Sequence, residues 1–217
     1  MVFPTTRHMC PARTRIRFHT PGLRRYRSSD YPDQDARAFV SVSVTGTACA
    51  LGCEHCDMQV LGGMDGLPRF EGSLWDLCVR LRERGARGVL VSGGCDARGR
   101  VPLLEHLSDL GRVRRELGML VRVHPGLPDE ATCRGLGELG IDGAMVDIIG
   151  HRDTIRDVYH LDATPADYDA MLARLARNGV PAIPHIVLGL HFGRMLGEEE
   201  ALRMVLRHPR KLLVLVV

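Results

Sequence analysis

No run of about eighteen uninterrupted apolar residues occurs in the 217-residue chain, and its arginine-bearing N-terminus is not followed by an apolar stretch. Neither a membrane span nor a secretory signal is expected, and a cytoplasmic protein is. No Gly-x-Gly-x-x-Gly follows a strand-like run, so neither a flavin nor a nicotinamide site is implied, and electrons for any redox step must come from outside. Lysine is almost missing: Lys211 is the only one among 29 basic residues. That bias reads as a GC-rich coding sequence rather than a phosphate-binding face. The net charge is only +3, and residues 1–37 hold eight Arg against three Asp, leaving the remainder slightly acidic. A nucleic-acid partner is therefore not implied.

What is present is an ordinary globule, 45% hydrophobic and 25% charged. Residues 1–37 read as a basic N-terminal extension and residues 38–217 as one core domain, a size that α/β barrels reach as single units. Seven cysteines, an odd number in a chain without an export signal, favour metal binding or buried thiols over a disulfide framework.

Beyond residue 37 the chain alternates between short β-branched runs and longer helical patterns, the mark of repeated βα units around a parallel sheet. Six strands are expected, at 38–44, 88–92, 119–123, 142–148, 182–188 and 212–217. Helices are expected near 73–85, 102–117, 128–139, 165–178 and 197–207. Ser73, Pro128 with Asp129, and Thr164 with Pro165 open three of them, and Gly85, Gly118, Gly140 and Gly179 close four. This pattern permits either a barrel or a doubly wound open sheet. The apolar run Leu212–Val217 ends with the chain, although such a strand normally needs a covering helix; a chain truncated after its sixth strand is the expectation.

The most specific signal follows the first strand. Cys49, Cys53 and Cys56 form C-x3-C-x2-C in Thr45-Gly-Thr-Ala-Cys-Ala-Leu-Gly-Cys-Glu-His-Cys56. Three thiolates on a tight loop can reach three corners of a 4Fe-4S cube and leave one iron open. A structural zinc site is the alternative, with His55 as fourth ligand; its adjacency to Cys56 disfavours both reaching one ion.

Functional groups of βα barrels collect on the loops after the strands. After the second strand comes Ser92-Gly93-Gly94-Cys95-Asp96, a Gly-Gly turn that could also be a plain strand-to-helix connection. Cys95 could act as a ligand or sulfur carrier, or be a small buried residue. His124 follows the third strand and Asp147 the fourth, while His185, Gly189 and His191 belong to the stretch of the fifth. Each histidine could be structural, and Asp147 needs a hydrogen-bond partner if buried. Cys78 and Cys133 read as helix-core thiols, while Cys10 could ligate a second cluster. The polar segment Asp153–Asp162, with Tyr159 and His160, could recognise substrate or form a solvated helix.

The cysteine loop closely resembles that of the radical S-adenosylmethionine superfamily. The phrases around it, with Ser-Gly-Gly-Cys-Asp-Ala-Arg-Gly-Arg-Val-Pro-Leu, Val-Tyr-His-Leu-Asp and Pro-His-Ile-Val-Leu-Gly-Leu-His-Phe-Gly, look like two-component lipoyl synthases, which are similar to biotin synthase. The resemblance implies a partial (βα)6 TIM-like barrel. It implies a 4Fe-4S cluster on Cys49, Cys53 and Cys56, with S-adenosyl-L-methionine held by Ser92, Gly93 and Gly94 at its methionine end and by Asp147 and Gly189 at its nucleoside. The family's glutamate after Gly-Gly is absent, replaced by Cys95 and Asp96. The implied activity is reductive cleavage to a 5'-deoxyadenosyl radical, hydrogen abstraction from an octanoyl chain and sulfur insertion from a second iron–sulfur cluster, with Cys95, His124 and His185 as catalytic candidates. The implied partners are a ferredoxin or flavodoxin, a second radical subunit and an octanoylated carrier protein. A non-catalytic Fe–S or zinc-binding paralogue, acting through a partner, is the alternative from another class.

Overall fold

A computed structural model describes residues 36–216. The basic extension expected over 1–37, apart from its last two residues, lies outside the described residues, as do Cys10 and Val217. Seven strands form one sheet in the order β2-β1-β3-β4-β5-β6-β7, every pair parallel. They are β1 Phe39–Ser43, β2 Asp65–Gly66, β3 Gly88–Ser92, β4 Leu120–Val123, β5 Gly143–Asp147, β6 Ala182–Val187 and β7 Val214–Val216. The six expected strands are there; the seventh, β2, is only two residues long and too short to leave a pattern in sequence.

The helices are α1 Gln59–Gly62, α2 Leu74–Glu83, α3 Leu107–Glu116, α4 Glu130–Leu139, α5 Arg152–Tyr159, α6 Pro165–Arg177 and α7 Glu198–Arg207. The helix expected over 102–117 starts as a 3-10 turn, Leu103–His106, before α3 begins. Caps set the boundaries. Ser73 and Asp76 form a capping box on α2, the Asp129 carboxylate accepts from Thr132 N–H at 2.9 Å, and Asp167 accepts from both the N–H and hydroxyl of Thr164 at 2.7 Å. The four closing glycines all have positive φ.

Register decides between the two sheet architectures. Registered residues of parallel strands share a face, and the row Val42, Val91, Val123, Ala144 and Ala182 is buried to 2% exposure or less. Against that face α2, α3, α4, α6 and α7 pack one on the next in chain order. Each buried valine or leucine there is worth about 1.5–3 kcal/mol. The opposite row, with Ser41, Leu90 and Arg122, and further along Asp147 and His185, is only partly covered. A doubly wound sheet would have helices on both faces. One covered face and one polar, half-open face make a partial barrel whose interior is the polar side.

No helix among the described residues is long and apolar enough to cross a membrane.

Candidate functional site at the carboxyl edge of the sheet

The cysteine loop leaves β1 and is fastened on two sides. Towards β3, Thr45 Oγ1 accepts from Gly94 N–H at 2.6 Å, Ala50 N–H donates to the Cys95 carbonyl at 2.8 Å, and Cys95 N–H donates to Cys49 Sγ at 3.4 Å. Towards the end of α5, Glu54 N–H donates to the Val158 carbonyl at 2.9 Å, and the Cys53 thiol donates to the Tyr159 carbonyl at 3.6 Å. His160 lies 3.0 Å from the Leu51 carbonyl through Nδ1 and 3.2 Å from Glu54 Oε1 through Nε2. The polar segment that sequence left open as substrate-binding or solvated is thus α5, capped by the His151 side chain, and its last turn anchors the thiol loop.

Cys49, Cys53 and Cys56 are free and half-buried. Burial, and then the neighbouring Cys49 and Cys56, push the Cys53 thiol up to about 12. A thiol raised in this way is deprotonated by a strong positive charge beside it, which a bound metal centre supplies. A tetrahedral Zn2+ with Zn–S near 2.3 Å would draw its sulfurs to about 3.8 Å from one another. Among the described residues the three cysteines do not gather within 4.8 Å of one another. His55 is turned away from a ligand's role: its ring stacks on Tyr159 at 4.6 Å between centroids, and burial lowers its pKa. Three cysteine thiols on one loop are a donor set that fits a cubane with one open iron, and the Cys95 N–H on Cys49 is the kind of bond that tunes cluster sulfur.

The expected S-adenosylmethionine residues are placed more variously. Ser92 Oγ donates to the His124 carbonyl at 3.1 Å, tying β3 to β4. A Cβ on Gly94 would overlap the Ala48 carbonyl oxygen and come within 2.6 Å of Cys49 Cβ; on Gly93 it would meet Thr45 Oγ1 and Val44 Cγ2 at 3.1 Å. The two glycines are therefore what lets the cysteine loop cross the β3 turn. Gly189, at φ +72°, opens the turn after β6, and its N–H donates to Glu198 Oε1 at 3.0 Å. Cys95 is half-buried and, with Cys49, Gly94, Arg100 and Asp129, lines a cavity of about 640 Å³.

His124, Asp147 and His185 do come together, on the polar face. Asp147 Oδ2 lies 3.7 Å from His124 Nε2 and Oδ1 lies 3.7 Å from His185 Nδ1, while the Tyr159 hydroxyl donates to Oδ2 at 3.2 Å. Burial opposes the Asp147 charge, but His124, His185 and His55 hold its carboxyl down at about 2. Burial likewise pulls on His124, where the Asp147 charge prevails and raises it; at His185 burial prevails and lowers it. His191, expected at the same edge, stands apart: its Nδ1 is 3.4 Å from Thr154 Oγ1 and its ring edges onto Phe192.

Tyr159 joins the two groups. Its carbonyl takes the Cys53 thiol, its ring takes His55, and its hydroxyl takes Asp147. Sequence marked it only as part of a polar segment. Arg122, on the same face as His185 and with a buried Nε lacking a partner, was missed altogether. A lone arginine inside the apolar strand Leu-Val-Arg-Val was the available signal.

No protein-family model and no curated protein matches the sequence. Solved structures do match its fold. Methylornithine synthase is 17% identical with a TM-score of 0.55, over 83% of this chain and 54% of its own. The radical S-adenosylmethionine methyltransferase TsrM from Kitasatospora setae, solved with tryptophan and an S-adenosylmethionine analogue, is 16% identical with a TM-score of 0.57, over 89% and 39%. The protein anSMEcpe with bound AdoMet is 13% identical with a TM-score of 0.51, over 82% and 50%. The chain shares the partial-barrel fold of these structures. The present chain spans about half or less of the length of these three structures.

Proposed function

We propose that this chain carries the cluster-binding core of a radical S-adenosylmethionine enzyme. The observation that carries the reading is that the half-buried Cys49, Cys53 and Cys56 stand on one loop at the carboxyl end of β1 on this fold. When bound there, a 4Fe-4S cluster supplies the electron that splits S-adenosylmethionine into methionine and a 5'-deoxyadenosyl radical able to abstract hydrogen. The chain's own part is to hold and orient. Cys49, Cys53 and Cys56 would be the ligands, the Cys95 N–H steadies Cys49, and the Gly93–Gly94 crossing fixes the loop against β3. The methionine end would face the Ser92–Cys95 turn and the nucleoside the Gly189 turn. Asp147 lies on the polar face, enclosed by two imidazoles and a phenol. A ferredoxin or flavodoxin would deliver the electron.

The finer reading, sulfur insertion into an octanoyl chain on a carrier protein, has no sulfur donor among the described residues. Cys78 and Cys133 are fully buried in α2 and α4, and Cys95 sits beside Cys49. A second cluster would have to draw on residues outside this set or on a partner subunit.

The test is anaerobic reconstitution of the full chain, with iron and sulfide assayed before dithionite and S-adenosylmethionine are added. About four irons per chain and release of 5'-deoxyadenosine are expected, and about eight irons would supply the missing sulfur donor. Cys53→Ala should lose both cluster and product. Unaltered iron content in that variant, or bound zinc in the parent, defeats the proposal.

A further inference from the structure

Three neighbouring strand ends bring two imidazoles and a carboxylate around one point. Asp147 and His185 are register partners across β5 and β6, and His124 follows Val123, the partner of Ala144. The placement is thus built on sheet geometry rather than on loops, the more exact way to hold a site. One ligand atom from each residue lies within 4.8 Å of the other two, and among the described residues no other trio of His, Cys, Asp or Glu does so.

The trio is unfinished as a purely protein arrangement. Both imidazole-to-carboxylate separations are 3.7 Å, beyond a hydrogen bond. His185 is only 12% exposed, yet its Nε2 is buried without a partner. Ligand bonds of about 2.0–2.2 Å would bring these atoms to roughly 3–3.5 Å from one another, a small side-chain adjustment.

We propose that His124, Asp147 and His185 hold one divalent transition-metal ion, with its remaining coordination positions open to the half-covered face of the sheet. Two imidazoles and one carboxylate with open positions are the donors of catalytic zinc and mononuclear non-haem iron. The Tyr159 hydroxyl on Asp147 is the outer partner that orients a ligating carboxylate. The inference stands apart from the radical reading: it needs no cluster on the cysteines, and it gives Asp147 to a metal instead of a ribose hydroxyl.

The probe is Co2+, titrated into the full chain bearing Cys49→Ala, Cys53→Ala and Cys56→Ala together, with circular dichroism confirming the fold. One ion per chain is expected, with visible d–d absorption and without a sulfur-to-cobalt charge-transfer band. Adding His124→Ala or His185→Ala should weaken binding about 100-fold, and adding Tyr159→Phe about ten-fold. No uptake by the folded triple variant, or undiminished uptake in both histidine variants, overturns the site. Should the triple variant not fold, the parent chain decides: Zn2+ should raise its melting temperature, with the rise lost in His124→Asn and kept in Cys53→Ala. The reverse pattern refutes the proposal.

Discussion

The two halves of the sheet's carboxyl edge are built on different plans. At β1 and β3 the chemistry is thiol, its three cysteines fall within eight consecutive residues, and the loop is held mainly by backbone hydrogen bonds to Cys95 and Val158. At β4, β5 and β6 the chemistry is imidazole and carboxylate, one residue per strand end, and their meeting is fixed by register. The first plan leaves a motif in sequence because proximity in space follows from proximity in the chain. The second leaves none, because His124 and His185 are neighbours only after two strand pairings have formed. Tyr159 touches both, its carbonyl taking the Cys53 thiol and its hydroxyl donating to Asp147.

The largest effect should come from breaking the first plan at its tightest point. In Gly94→Ala the new methyl group collides with the Ala48 carbonyl and with Cys49 Cβ, both backbone-fixed. The cysteine loop must lift from β3, at about 1–3 kcal/mol of stability, and iron content after reconstitution should fall from about four per chain to near zero. A variant that keeps its iron would show that the loop's hold on α5 suffices alone.

Gly94 also shows how much could be read in advance. The βα alternation, five of the helices and the thiol motif were legible because each rests on local periodicity, a cap or close spacing. Gly93 and Gly94 were legible as glycines, but not the close approach they permit: the space beside them is taken by residues 44–49, some 45 positions earlier. The α5 segment carried polar residues that could not announce whether they faced water or a loop a hundred residues away. The face on which Arg122 sits is set by register, which single strands do not reveal.

The second prediction separates thiols of the same half. Burial, then the charges of Cys49 and Cys53, raise the Cys95 thiol to about 12. In metal-free protein at pH 8 its alkylation by iodoacetamide should run on the order of 100-fold slower than that of a free cysteine, the lower thiolate fraction being partly offset by greater nucleophilicity. The rate should keep climbing well above pH 9. Labelling as fast as a peptide cysteine would mean that the Cys95 turn opens, and that the contact with Cys49 does not steady the loop.

The smallest effect concerns how the β3 turn is propped from below. Asp96 accepts from the N–H groups of Arg98 and Arg100 at 2.8 and 2.9 Å, and the Arg100 guanidinium bridges Asp96 at 2.8 Å and Asp129 at 3.1 Å. These side chains are between 34% and 43% exposed, so solvent screens the pairs and Arg100→Ala should cost only about 0.2–1 kcal/mol. The pH dependence identifies the cause. Burial works against the Asp96 charge but donors from Arg100 and Arg98 prevail, and Thr132, then Arg100, favour the Asp129 charge; both carboxyls titrate below their ordinary range. Depressed folded values mean stability that is present above the unfolded carboxylate pKa near 3.9 and is lost as pH falls through the folded values. Denaturant midpoints for parent and Arg100→Ala should therefore differ by a constant amount from pH 7 to about 5 and converge as the pH falls below about 3.9 and through the folded values. If the gap instead survives in acid, Arg100 supports the turn through its alkyl chain, and the thiol half of the edge owes nothing there to charge.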